Sequence, residues 1–267
     1  MIRKSQLERI YTHYNSRKWV HPDPLEFLYQ YPQFKDREVV GLIASSLAYG
    51  RVTQILKSVS WVLDKMEPSP YIFLKTAPIP SLRKAFGSFR HRFTTGEEMI
   101  LLLRGLQQVI DRFGTLYTCF LHGSKEEDTS VLPGLSFLAT QLSAPFSGRR
   151  NSLLPLPRHG SACKRLHLFL RWMVREDGVD PGGWKKVSPA KLIVPLDTHM
   201  HRICCGLNFT KRKSGNLKTA LEITRVFREI TPEDPVRYDF ALTRLGIRRD
   251  MEADLHTPLG LKKNISH

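Results

Sequence analysis

Leu156-Pro157-Arg158-His159-Gly160-Ser161-Ala162-Cys163-Lys164-Arg165-Leu166-His167-Leu168-Phe169-Leu170-Arg171-Trp172 reads as a tight turn opening a helix, with Lys164 in its first turn. From there Leu166, Phe169, Leu170, Met173 and Val174 fall at helical spacing, so the helix has a buried face and the lysine a fixed place. A second segment answers it. Ile193-Val194-Pro195-Leu196-Asp197-Thr198-His199-Met200-His201-Arg202-Ile203 is a short apolar run broken by proline, in which Asp197-Thr198 opens another helix. The partial positive charge of a helix N-terminus disfavours a nearby ammonium, and a neutral lysine is a nucleophile. A carboxylate close to that amine accepts its proton or stabilises positive charge developing on a substrate. Lys164 and Asp197 are thus a candidate catalytic pair. The competing reading is a solvated first-turn lysine and an ordinary aspartate N-cap.

Outward from this pair the chain reads as helical. Leu7, Ile10, Tyr11 and Tyr14 share one helical face, Leu25, Leu28 and Tyr29 another, and Val39, Val40, Ile43 and Leu47 a third, which Gly50 ends. Further helices are expected from Ile55 to Leu63, Met99 to Ile110, Leu135 to Leu142, Thr219 to Ile230, and Tyr238 to Leu245 with Gly246 as its cap. Ser143 to His159 is rich in Pro, Ser, Gly and Arg, a mobile or substrate-contacting connection or a plain loop. No alternation is sustained enough to argue a sheet. The expected fold is all-α: one domain over residues 1–247, made of two helical lobes with a cleft between them, followed by a charged tail over 248–267.

Composition bounds the partners. The 267 residues hold 41 Lys and Arg against 25 Asp and Glu, a formal charge of +16. Such a surface favours a polyanion through phosphate neutralisation and counterion release. The 41% hydrophobic content suffices for a sizeable core. Cys119, Cys163, Cys204 and Cys205 lack zinc-ligand or iron–sulfur spacing and read as reduced thiols. Neither a signal-peptide core nor a membrane-spanning run is present, so a cytoplasmic location, on the nucleoid when bound to DNA, is expected.

Three segments in order resemble the helix-hairpin-helix DNA glycosylase superfamily, the endonuclease III and adenine glycosylase group included. Leu42-Ile-Ala-Ser-Ser-Leu-Ala-Tyr-Gly50-Arg51 resembles the early helix and loop that place a residue wedging into the vacated base stack. Gly160-Ser-Ala-Cys-Lys164 is similar to the hairpin with its catalytic lysine, and Val194-Pro-Leu-Asp197-Thr-His-Met-His-Arg-Ile203 to the segment with the essential aspartate. Asp239-Phe-Ala-Leu-Thr-Arg-Leu-Gly246 is a weaker fourth match, and the likeness covers roughly residues 36–247. The whole chain also resembles a bacterial family of this length, a divergent branch of the same superfamily. Ala162 stands where the hairpin's second glycine is usual, Gly50 replaces the wedge glutamine, and no iron–sulfur cysteines follow. The Lys164-to-Asp197 separation exceeds that of endonuclease III and is closer to the archaeal 8-oxoguanine glycosylases.

The resemblance implies a helix-hairpin-helix DNA-binding element, with hairpin and catalytic segment over about 152–207, and a base-excision glycosylase with AP lyase activity on a damaged base. An oxidised purine such as 8-oxoguanine is the first expectation, and duplex DNA carrying that base is the partner, with no cofactor. Lys164 would attack C1′ of a flipped-out nucleotide and Asp197 would take the lysine proton. Gly160, Ser161 and Ala162 would offer backbone N–H groups to a phosphate, or merely start a helix. Arg158 and Arg165, beside Arg149 and Arg150, would form a basic rim, and Tyr49 or Arg51 would fill the gap left at Gly50. Trp172, Trp184 and Phe240 are the aromatic candidates for a base pocket, although each such residue is more often core than a ligand contact. Two rivals stand beside this: a non-catalytic nucleic-acid-binding protein on the same fold, and a metal-dependent hydrolase built on Asp197-x-His199-x-His201.

Overall fold

A computed structural model describes residues 2–149, 151–157 and 160–247, and it is mainly helical. The chain opens with α1 (Lys4–Tyr14), which buries Leu7, Ile10 and Tyr14, and continues through a short 3-10 helix over Pro24–Gln30. The Leu25 and Leu28 face is therefore tighter than the α-helix its spacing suggested, because Pro24 and the Asp23 side chain, which accepts from Leu25 N–H, set a turn. Then come α2 (Phe34–Ser46), α3 (Val52–Leu63), α4 (Pro70–Thr76) and α5 (Ile79–Phe86). This half is almost wholly helical, as expected, with one small exception. Arg90–His91 (β1) and Thr94–Thr95 (β2) pair antiparallel as a small hairpin. Strands of two residues are too short to leave an alternation in the sequence.

Thr95 then caps α6 (Gly96–Phe113): its side chain accepts from Glu98 N–H while the Glu98 carboxylate accepts from Thr95 N–H. α7 (Leu116–His122) and α8 (Leu132–Ser143) pack against α6. The described residues between Ser147 and Pro157 contain no α-helix. α9 (Lys164–Val174) lies against α2. α10 (Thr198–Gly206) packs on α12 (Asp239–Ile247), with α11 (Leu217–Ile230) between them in sequence. α12 continues to Ile247, so Gly246 lies inside the helix and does not cap it. The tail expected over 248–267 lies outside the described residues.

Buried apolar residues from these elements join in one core, with a satellite of Ile10, Tyr14, Ala241 and Leu245 where α1 meets α12. The excursion between α9 and α10 is anchored from inside. Trp184 is fully buried and its indole N–H donates to the Glu38 carboxylate, which also accepts from Tyr117 N–H. Burial pushes the Glu38 carboxyl up to about 7. Among the described residues no helix is long and apolar enough to cross a membrane, and all four cysteines are free.

Candidate active site

Two helix starts face each other. Lys164 is the first residue of α9, and Asp197 is the N-cap of α10, its backbone extended. One carboxylate oxygen of Asp197 accepts from Met200 N–H at 2.8 Å, satisfying a donor that the helix itself leaves open. The other oxygen lies 3.6 Å from Lys164 Nζ. The side chains are 31% and 25% exposed, so the pair is open to a solvent-borne substrate. The sequence thus offered two readings of Asp197, cap and partner of the lysine, and the geometry holds both at once, through different oxygens.

The turn before α9 is held by a distant segment. Gly160 takes φ +74, a conformation that suits glycine, and nothing crowds the space where a side chain would stand. Its carbonyl accepts from Leu217 N–H at 3.1 Å, and Ser161 bridges antiparallel to Asn216, the N-cap of α11. Ala162 and Cys163 face the core, and Cys163 enters the helix at φ +46 with its N–H donating to Ser161 Oγ. The bridge brings the exposed run Lys211-Arg212-Lys213-Ser214-Gly215 beside this turn. That basic loop was missed in reading the sequence. Three consecutive cations, a Ser-Gly turn and an asparagine cap are the signal that marks it. A cavity of about 520 Å³ also borders Ser161, lined with it by Thr140, Ser143, Gly148, Asn151 and Leu156.

Other expected site residues are placed differently. The Arg165 guanidinium turns inward, donating to the carbonyls of Ser46 and Ser152, and lies 4.9 Å from the centre of the Tyr49 ring. It ties α9 to the end of α2 and is not a rim cation. Tyr49 is pinned through its hydroxyl, which donates to the His91 carbonyl and lies 2.6 Å from Thr94 Oγ1. Gly50 is exposed at φ +97, and an added Cβ would meet the Arg92 side chain at 2.7 Å. Arg51 is exposed just before α3, and Arg149 is exposed as well. Arg158 and Arg150 lie outside the described residues.

Trp172, Trp184 and Phe240 are core residues at 0%, 0% and 6% exposure, so none presents a ring face to a base. Their helical spacing carried a packing role, which the sequence does not separate from a binding one. The Asp197, His199 and His201 run is not drawn together either. His201 Nε2 faces the Arg212 carbonyl at 2.8 Å, His199 faces Arg202, and Asp197 faces Met200 and Lys164. Among the described residues no group of three His, Cys, Asp or Glu could hold a metal ion.

Behind the pair lies a buried charge cluster. Arg171 donates to Asp239 at 2.5 Å and to Asp180 at 3.2 Å. Arg175 donates to Asp180, to Asp234 at 2.8 Å and to Asp177 at 2.7 Å. Burial pushes the Asp239 carboxyl up, Arg171 pulls it down, and the charge of Asp197 adds to the rise. Asp239 therefore lies within electrostatic reach of the candidate catalytic carboxylate.

Residues 23–248 match the model of a family described as a protein of unknown function (DUF2400); the match spans most of the chain, which belongs to that family. No curated protein and no solved structure matches the chain.

Proposed function

We propose that this DUF2400 protein is a base-excision DNA glycosylase with AP lyase activity, acting on a damaged, oxidised base in duplex DNA, with 8-oxoguanine the first substrate to test. The observation that carries the reading is the partly exposed Lys164–Asp197 pair, 3.6 Å apart at two helix N-termini. The net charge of +16 and the basic 211–215 loop beside the Gly160 turn support a phosphate-bearing partner. The fold would be two helical lobes with a cleft, and the turn into α9 would be the hairpin of a helix-hairpin-helix element. The cavity beside Ser161 is of the size of ordinary ligand pockets and would receive the flipped base in place of the buried tryptophans.

In this reading Lys164, deprotonated by Asp197, forms a bond from Nζ to C1′ of the sugar. The glycosidic bond breaks with its electron pair leaving on the base, which takes up the proton that Asp197 drew from the lysine. The lysine adduct then opens the sugar ring to an imine. Loss of a C2′ proton expels the 3′ phosphate by β-elimination and nicks the strand. Ionised again by that transfer, the Asp197 carboxylate stabilises the positive charge of the lysine–sugar adduct.

Borohydride trapping on duplexes carrying an abasic site or 8-oxoguanine tests this directly. Wild type is expected to give a covalent adduct and Lys164→Ala none. A non-catalytic nucleic-acid-binding protein is the second reading, favoured by the structural use of Asp197 as the α10 cap. Salt-dependent DNA binding with no adduct from the wild type, and no base released, would select it.

A further inference from the structure

Lys211, Arg212 and Lys213 share one loop, but the three cations are not equivalent. Arg212 is committed to the fold. Its Nε donates to the Glu222 carboxylate of α11 at 2.5 Å, its N–H donates to Thr210 Oγ1 at 3.1 Å, and its carbonyl lies 2.8 Å from His201 Nε2 of α10. Ser214 is committed as well: its carbonyl accepts from Thr219 Oγ1 at 2.6 Å and its Oγ accepts from Asn216 Nδ2 at 3.1 Å. The loop is thus anchored at alternate residues to the helices on either side. Lys211 and Lys213 alternate with the anchors, are exposed, and make no ion pair with any described residue. Glu222 would repel a phosphate here, but the Arg212 hydrogen bond neutralises it and holds its carboxyl below the ordinary carboxylate range. The far end of the loop is clasped to Ser161 and Gly160, which carries the two free ammoniums beside the turn that leads into Lys164.

A cation without a protein partner is open to an anion from outside, and an anchored frame loses little freedom when that anion binds. Two residues apart, the lysines lie within roughly 7 Å along the backbone, and their long stems reach neighbouring charges on one strand. We infer that Lys211 and Lys213 hold two backbone phosphates of the DNA strand beside the Gly160 turn, while Arg212 contributes no contact and serves to fix the loop and cancel Glu222. This rests on the proposed DNA reading. Phosphate contacts set register and affinity without reading bases, so the two lysines raise affinity for any duplex and leave the choice of target to other residues.

The test measures affinity of the full chain for an intact duplex, and for the same duplex with one abasic site, across a salt series, with thermal unfolding as a check on the fold. Each neutralised phosphate adds about 0.9 to the slope of log affinity against log salt. Lys211→Ala combined with Lys213→Ala should therefore lower that slope by about 1.8 and weaken binding at about 0.15 M salt roughly tenfold to a hundredfold, equally on both duplexes. Arg212→Gln combined with Glu222→Gln leaves the net charge unchanged and should keep the slope within about 0.3 of wild type. Lys75→Ala combined with Lys84→Ala, on α4 and α5 where they pack against α6, removes the same charge elsewhere and should do likewise. A wild-type slope in the Lys211 and Lys213 variant, or an equal drop in either of the other two, overturns the inference and leaves the DNA reading standing. Absence of salt-dependent binding by the wild type to either duplex overturns both.

Discussion

α9 carries two sets of charges that differ in what is left over for other work. At its first residue Lys164 meets one carboxylate at 3.6 Å, with both side chains a quarter to a third exposed. Two turns later Arg171, together with Arg175 just past the helix, is almost fully buried and bonded to four aspartates, of which Asp180 has no exposed side-chain surface. Charges withdrawn from water need every donor matched, and here the matching fixes α9 against α12 and the excursion that follows it. The exposed pair is undersaturated: the ammonium retains donors and the carboxylate retains lone pairs that a substrate can use. What a substrate could reach and what holds the fold are separated along one helix by depth.

The largest effect expected from this comparison is on the buried set. Asp180→Ala removes the one carboxylate that Arg171 and Arg175 share, leaving Asp239 to the first and Asp177 and Asp234 to the second, and should lower the unfolding free energy by about 3–5 kcal/mol in a denaturant titration. A loss below about 1 kcal/mol would erase the distinction between the two sets. His167, between them on the same helix, gives the next largest. It is fully buried, neither ring nitrogen has a partner among the described residues, and burial pushes it down to about 4 from 6.5. The unfolded chain therefore binds the proton first on acidification. Stability is intact above about pH 6.5 and should fall by roughly 3 kcal/mol as the pH drops towards 4, while His167→Phe flattens that slope in pH-dependent unfolding.

The smallest effects sharpen the comparison at the exposed end. Asp197→Ala removes the α10 cap and should cost about 1 kcal/mol, whereas Asp197→Asn keeps a side-chain acceptor and should cost under about 0.5 kcal/mol. Lys164→Ala should change stability by less than about 1 kcal/mol, since an exposed ion pair contributes little. Thermal unfolding of the three variants, run beside the trapping assay, separates a lost cap from a lost base. If Asp197→Asn proved as unstable as Asp197→Ala, the carboxylate charge and not the cap would be holding α10.

The helices were legible because their apolar faces repeat at the helical period over three or more turns, as in α1, α6, α9 and α11. Lys164 and Asp197 were legible for a different reason: each sits at a helix start, and turn and cap chemistry mark such positions locally. What stayed hidden is non-local or too short to be periodic. The two-residue strands around Phe93 leave no alternation to read, and only the Thr95 and Glu98 capping box hints that the chain changes course there. The inward turn of Arg165 depends on carbonyls of Ser46 and Ser152, which no pattern around residue 165 announces. Trp172, Trp184 and Phe240 misled because an aromatic residue at a core position and one in a pocket look alike until exposure is known.

The loop between α10 and α11 is pinned at both ends. Phe209 is buried, its N–H bonded to the Cys204 carbonyl, and Asn216 and Leu217 are clasped to Ser161 and Gly160. Between those clasps the 211–215 run is exposed and held to α10 and α11 through the Arg212 and Ser214 carbonyls and the Arg212–Glu222 pair, so the charges of Lys211 and Lys213 can be exchanged without displacing Lys164 or Asp197. On the proposed reading it is an exchangeable rim beside the Lys164–Asp197 pair, where relatives of this chain can diverge while keeping the pair itself.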